Sequence, residues 1–392
     1  MSTSLMNTYA RLPVTFERGE GAWLWDTNGN KYLDALCGIA VTGLGHAHPQ
    51  ITKAICEQAS QLMHTTNLFG IKNQQLLGDK LVQLTAMDKC FFANSGAEAN
   101  EAAIKIARLY GHHKGIEQPS IVVMDNSFHG RTLATLSATG SRKVQAGFEP
   151  LVRGFLRVPY NDLEAIQNIA KHEKSVVAVL VEPVQGESGI NIPSDDYLSG
   201  IREICDKHNW LMMLDEIQSG MGRSGKWFAF QHDGFIPDVM TLAKGLGNGF
   251  PVGVCIARGE AAETFHPGNH GTTFGGNPLA CRTALEVINV IEQNNLVSRA
   301  AELGQRILSG LQASLQGVPQ VNEVRGKGLL IGVELNSNCT KLAKQALENG
   351  IIINVTNNSV IRILPPLIIS DAEADLIVEK ISALVKNFTP DQ

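Results

Sequence analysis

The 392-residue sequence predicts an α/β fold, with a large, mostly parallel sheet covered by helices and a smaller α+β part built from the C-terminus and the N-terminal segment. Three observations carry this expectation. Short apolar runs alternate with helical patterns through the middle of the chain, several of those runs end in a polar or charged residue, and the texture changes after Pro278. Wholly apolar, β-rich runs separated by helices read as strands buried on both faces of a parallel sheet.

Taken in order, residues 22–26 and 31–34 flank Thr27-Asn28-Gly29-Asn30, a good hairpin signal. Cys90-Phe91-Phe92-Ala93 leads into a helix with Ala103, Ile106, Ala107 and Tyr110 on its apolar side. Further strands are expected at 121–124, 176–181, 210–214, 239–242 and 252–257, and Asp125, Glu182, Asp215 and Lys244 mark the ends of four of them. Beyond Pro278 the patterns predict helices over 279–293 and 297–315, a strand over 329–335, a helix over 342–348, and strands over 351–355 and 360–364. Ser370 with Glu373 three residues on resembles a capping box, opening a last helix with Ile377, Ile381, Leu384 and Val385 on one face. The expected organisation is an N-terminal segment, 1–45, packing with the small domain; a large ligand-binding domain, 46–278; and a C-terminal α+β domain, 279–392.

Composition narrows the function classes. The chain is 44% hydrophobic and 18% charged, ordinary for a soluble globular protein, with a formal net charge of -5. No long basic run supports a nucleic-acid or membrane-surface role, and no uncharged apolar run is long enough to span a bilayer. The first thirteen residues lack a basic start followed by an apolar core, so no export signal is expected and a cytoplasmic setting is. Seven cysteines without a CxxC pair read as buried, reduced thiols. His46, His48, His129 and His270 lack the spacing of a compact metal site, and no metal is expected.

Four segments carry chemistry together. Ligands of parallel α/β sheets bind at the carboxyl ends of strands, which directs attention to Lys244, between an apolar strand and the turn Gly245-Leu246-Gly247. A lone lysine there is ordinarily a solvated surface group; its neighbours change the reading. Asp215 ends a wholly apolar run, where a carboxylate needs a cationic or donor partner; a helix cap is the plainer alternative. Ser95, Gly96 and Ala97 stand at a helix start, where free N–H groups favour an anion such as a phosphate. In the segment 126–132, Phe128 offers a flat face for an aromatic ring and Arg131 a planar fork for a carboxylate.

With Leu44-Gly45-His46-Ala47-His48-Pro49, Val181-Glu182-Pro183-Val184-Gln185-Gly186-Glu187, Leu214-Asp215-Glu216-Ile217-Gln218-Ser219-Gly220 and the run HGTTFGGNP over 270–278, these segments resemble the class III, fold-type-I pyridoxal-phosphate aminotransferases. The resemblance runs from Gly21 to the final helix. It implies pyridoxal 5'-phosphate as cofactor, held by Lys244, which also shuttles the proton. Asp215 is implied to pair with the pyridine nitrogen, Gln218 to sit near the ring hydroxyl, Phe128 to stack on the ring, and Ser95, Gly96 and Ala97 to form the phosphate turn. Thr273 is implied to reach the phosphate of the neighbouring subunit, hence a homodimer with shared sites. Arg131 and Arg362 are implied to take the far and near substrate carboxylates, with Glu187 pairing with Arg362 and swinging away for glutamate. Segments 38–41 and 64–69 look most like the acetylornithine aminotransferases, implying N2-acetylornithine and 2-oxoglutarate/glutamate as substrates. Succinylornithine, ornithine or 4-aminobutyrate as donor, an aminomutase or decarboxylase on the same fold, and a non-catalytic cofactor-binding protein are the alternatives.

Overall fold

A computed structural model describes residues 4–390, so the outermost residues of the expected domain ranges lie outside the described residues. The N-terminal hairpin forms, β2 (Trp23–Asp26) against β3 (Lys31–Asp34), with β1 (Phe16–Glu20) added on its outer side. Asp26 fixes the turn, since its Oδ1 accepts from the N–H groups of Asn28 at 2.9 Å and Asn30 at 2.8 Å.

The large sheet has seven strands: β4 (Lys89–Ala93), β5 (Ser120–Met124), β6 (Phe155–Val158), β7 (Val176–Val181), β8 (Leu211–Asp215), β9 (Val239–Leu242) and β10 (Gly253–Ala257), in the order β4-β10-β9-β8-β7-β5-β6. The pairs from β9 to β6 are parallel, whereas β10 runs antiparallel to both of its neighbours. Residues 243–252, which join β9 to β10, hold only a short 3-10 turn, Lys244–Leu246. A parallel return needs a longer crossover, so the chain comes straight back. Every residue of β5, β7, β8, β9 and β10 is buried, as sheet strands covered on both faces must be.

The C-terminal part holds β11 (Val321–Lys327), β12 (Leu330–Leu335), β13 (Ile351–Ile352), β14 (Asn354–Thr356) and β15 (Val360–Ile363). Four of them form an antiparallel sheet, β11-β12-β15-β14, while β13 leaves it to pair parallel with β3. The single strand expected over 351–355 is therefore two. Each half satisfies the unpaired backbone groups of a different sheet edge, and the N-terminal segment becomes joined to the C-terminal part. Trp23 Nε1 strengthens that junction by donating to Glu373 Oε1 at 2.6 Å. The helices Pro278–Gln293 and Leu296–Leu315 follow the expected course, and Ser370 and Glu373 make the reciprocal capping box of the helix Asp371–Lys386.

The expectation for the cysteines needs correction. All seven are free and five are buried, but Cys56 is exposed and Cys90 half-buried. Cys56 lies on the helix Pro49–Ala59, which buries only Ile51 and Ala54. Among the described residues no helix is long and apolar enough to cross a membrane.

Candidate active site

A cavity of about 460 Å³ opens at the sheet edge where the parallel strands end. Ser95 and Gly96 follow β4, Phe128 follows β5, Glu182 follows β7, Asp215 closes β8, Ala243 and Lys244 follow β9, and Val252 precedes the oppositely directed β10. All of them line the cavity, with Ala97, Arg131, Glu187 and Gln218. Nine of the sequence-predicted residues thus meet in one place: Ser95, Gly96, Ala97, Phe128, Arg131, Glu187, Asp215, Gln218 and Lys244. Arg362 and Thr273 are not among the lining residues.

Lys244 adopts φ 41°, a left-handed conformation uncommon for a residue with a side chain. Burial holds its amine below the ordinary lysine range; nearby Glu187 opposes this, and the Arg362 cation reinforces it. The unfolded chain therefore binds more protons than the native one between the native value and the ordinary value near 10.5, and stability rises with pH across that window. Below the window the cost of burying Lys244 is present in full, and above it the cost is gone. The cofactor-free Lys244→Met protein is thus expected to melt above cofactor-free wild type at pH 7, with the difference closing toward pH 11; equal melting temperatures at pH 7 would contradict a desolvated amine.

Asp215 is buried but well supplied with donors. Its Oδ2 accepts from Asn100 Nδ2 and from His129 Nδ1, each at 2.8 Å, and its Oδ1 accepts from the Ile217 N–H at 3.1 Å. A carboxylate offers about four acceptor directions, so one remains on Oδ1. A cationic N–H is the partner such a position favours.

At the other end of the cavity Ser95 caps the helix Gly96–His113, its Oγ accepting from Glu98 N–H at 3.2 Å. The N–H groups of Gly96 and Ala97 lie in the first turn, where a helix provides no acceptor of its own. Glycine is required at 253, where a Cβ would run into the Ser95 carbonyl, and one on Gly96 would press on the Ile217 side chain. Phe128 and Ile217 add apolar wall. An amine, a carboxylate with an open acceptor direction, an anion-binding helix start and apolar walls together fit pyridoxal phosphate.

Glu187 and Arg362 form an ion pair, Oε1 to Nη1 at 2.8 Å, and Nη2 donates to Oε2 at 3.3 Å. Arg362 is fully buried on β15 and also donates to the carbonyl of Gly186 at 3.0 Å and to Asn354 Oδ1 at 3.1 Å. Burial pushes the Glu187 carboxyl up, but attraction and hydrogen bonding to Arg362 outweigh it and leave the group below its usual value. Arg362 thus stands beside the cavity, masked by a carboxylate that lines it. Gln218 bridges the two, donating to Glu187 Oε1 at 3.3 Å and accepting from Arg362 Nη1 at 3.5 Å. Arg131 is exposed, its guanidinium 5.6 Å from the centre of the Phe128 ring. Thr273 is exposed on the loop before the helix Pro278–Gln293, outside this chain's cavity.

Glu182, Ile217 and Asn100 are among the residues to which the sequence reading gave no role in the site. Glu182, read as a polar strand end and as part of the run 181–187, lines the cavity and accepts from the Phe128 N–H at 3.1 Å. Burial raises its carboxyl well above the usual range, with repulsion from Asp215 adding to this and the Phe128 N–H opposing it. Ile217 carried no signal beyond its apolar character. Asn100 did carry one: a polar residue among buried Ala99, Ala102, Ala103 and Ile104 must find a partner.

A sequence model of the family Aminotransferase class-III matches residues 5–385. The acetylornithine aminotransferase of Nitrosomonas europaea is 56% identical over 384 residues, 98% of each chain. Acetylornithine aminotransferase 1 of Bordetella bronchiseptica is 53% identical over the whole of both chains. Among solved structures, the ornithine aminotransferase of Toxoplasma gondii ME49 superposes with a TM-score of 0.95 at 36% identity, over 97% of this chain and 92% of that one. The acetylornithine aminotransferase of Elizabethkingia anophelis does so with a TM-score of 0.87 at 35% identity, over 98% and 96%. A second structure of the Toxoplasma enzyme describes pyridoxal phosphate at its active site. Matched along nearly its whole length in sequence and in fold, the chain belongs to the class-III aminotransferases, enzymes dependent on pyridoxal phosphate.

Proposed function

We propose that the enzyme transfers the terminal amino group of N2-acetylornithine to 2-oxoglutarate, giving N-acetylglutamate 5-semialdehyde and glutamate. The observation that carries this reading is a cavity with one half-buried lysine, an open arginine and a second arginine masked by a glutamate. The identity of 53–56% to acetylornithine aminotransferases over nearly the whole chain selects the donor. The similarity to ornithine aminotransferase structures makes unacylated ornithine the second reading.

Bound pyridoxal phosphate supplies an electron-withdrawing ring that accepts the electron pair left when a substrate carbon loses its proton. The Oδ1 of Asp215 would face the ring nitrogen, Gln218 the ring hydroxyl and Phe128 a ring face, while Ser95 and the N–H groups of Gly96 and Ala97 would hold the phosphate. Lys244 would hold the cofactor between turnovers. Its Nζ, more easily deprotonated than that of an ordinary lysine, would be suited to carry the proton off the reacting substrate carbon and return it.

The two arginines divide the substrates. N2-acetylornithine has its carboxylate far from the reacting carbon, for Arg131, and Glu187 meanwhile neutralises Arg362, which would otherwise be a buried unpaired charge. Glutamate brings a second carboxylate beside the reacting carbon. It would take Arg362 while Glu187 swings out. In Glu187→Ala, the glutamate half-reaction is expected to quicken and kcat/KM for the terminal-amine donor to fall, on the order of tenfold for about 1.4 kcal/mol of lost discrimination. An unchanged donor-to-glutamate ratio in single-turnover rates would sink the switch.

A homodimer is part of the same proposal. Thr273 is exposed beside Phe274, and Asn67 Nδ2 ties this loop to the preceding segment by donating to the Gly275 carbonyl at 3.1 Å. Leu62, Met63, Leu68, Phe69 and Phe274 are all exposed there, an apolar surface suited to a second copy that would bring Thr273 to the neighbouring phosphate. Seven free thiols suit the reducing cytoplasm. The donor assignment is tested by glutamate formation from 2-oxoglutarate with N2-acetylornithine, N2-succinylornithine, ornithine or 4-aminobutyrate. The highest kcat/KM is expected for N2-acetylornithine, and a preference for any other donor would replace it.

A further inference from the structure

We propose that Asn100 is a positioning residue of this site: its amide, locked by Thr241 at one end and by the His129 carbonyl at the other, fills Asp215 Oδ2 with donors and reserves Oδ1 for the cationic ring nitrogen of the cofactor. The inference rests on the reading of Asp215 as the partner of that nitrogen.

The orientation of the amide follows from its partners. Asn100 Nδ2 donates to the backbone carbonyl of His129 and to Asp215 Oδ2, each at 2.8 Å, and its Oδ1 accepts from Thr241 Oγ1 at 2.8 Å. A carbonyl can only accept, so the nitrogen must lie on that side. A reversed amide would set its oxygen against the His129 carbonyl and the Asp215 carboxylate, whereas the Thr241 hydroxyl can donate or accept and is satisfied either way. Thr241 lies on β9 and His129 on the loop after β5, so two separate elements hold the two ends of this side chain, while the His129 carbonyl and the Asp215 carboxylate fix its polarity. Asn100 and Thr241 are buried away from bulk solvent.

His129 completes the arrangement. Its Nδ1 lies 2.8 Å from the same Oδ2, and its Nε2 is buried with no partner among the described residues. A carboxylate oxygen only accepts, so the ring proton of this contact sits on Nδ1. Two donors occupy Oδ2, the Ile217 N–H takes one direction of Oδ1, and the last is left to a ligand. A proton has no place on Oδ2. The cofactor nitrogen meets an acceptor whose polarity was set before it arrived, which is how an outer group orients an inner one.

The test uses holoenzyme reconstituted with pyridoxal phosphate carrying 15N at the ring nitrogen, whose chemical shift reports protonation of that nitrogen directly. Wild type is expected to show a protonated ring at neutral pH. Asn100→Asp exchanges a donor for an acceptor of the same shape and obliges two carboxyls to share a proton. The ring signal should move toward the unprotonated value and kcat should fall about 10- to 100-fold, with KM for 2-oxoglutarate little changed. Should Asn100→Asp yield no folded holoenzyme, Thr241→Val decides. It should give a smaller displacement in the same direction, and Thr241→Ser, which keeps the donor, should return the wild-type signal. A ring that stays as protonated as wild type in Thr241→Val and in any Asn100→Asp holoenzyme overturns the proposal. An unprotonated ring in wild type itself would bring down the reading of Asp215, and this proposal with it.

Discussion

Lys244→Ala is expected to bind pyridoxal phosphate yet lose transamination by about 10²- to 10⁴-fold, the range that a positioned acid–base group contributes. Among the described residues Lys244 is the one lysine lining the cavity, so no second amine stands ready to carry the proton. Lys244→Arg should not restore the rate, because a guanidinium stays protonated at neutral pH and cannot act as base. Single-turnover rates with N2-acetylornithine would measure both variants. Activity within about tenfold of wild type in Lys244→Ala would remove this residue from the chemistry.

Asp215 carries the second large effect, on stability as well as activity. In Asp215→Ala, Asn100 Nδ2, His129 Nδ1 and the Ile217 N–H lose their shared acceptor inside the protein. An unsatisfied buried group costs about 1–3 kcal/mol, so the variant is expected to lose several kcal/mol and to melt well below wild type. Asp215→Asn keeps the volume but removes the charge and sets an amide against two donors. It should hold cofactor more weakly and lose about 10²- to 10³-fold in kcat, comparable to removing a preorganised electrostatic partner. Wild-type melting temperature and rate in both variants would show that the network does not matter.

How far the sequence reached follows from where each element sits. The central strands β5, β7, β8 and β9 were legible because burial on both faces demands unbroken apolar runs. The strands β1, β6 and β11 were not, and each lies at the edge of its sheet. Phe16-Glu17-Arg18-Gly19-Glu20 and Val321-Asn322-Glu323-Val324-Arg325-Gly326-Lys327 carry the charges that keep edges from pairing with other chains, and those charges erase the strand pattern. The reversal of β10 was hidden because direction is set by the length of a connection and not by the strand's own residues. At the site, Lys244 and Asp215 were legible as polar ends of apolar strands, and Glu187 with Arg362 only through family resemblance. Their contact joins residues 175 positions apart that no local pattern connects. Asn100 was legible in principle, as an amide on an alanine-rich helix face, but its partners on β8 and β9 appear only once the sheet is assembled.

The central claim is that this cavity performs the donor half of transamination on N2-acetylornithine. Its most direct test is the absorption spectrum of the cofactor-loaded enzyme before and after adding N2-acetylornithine with no keto acid present. The band of the Lys244-bound cofactor is expected to fall and that of its aminated form to grow, reversed on adding 2-oxoglutarate. A spectrum unmoved by N2-acetylornithine but shifted by glutamate would contradict the donor assignment, and a protein that shows no Lys244-bound band when given pyridoxal phosphate would contradict the site itself.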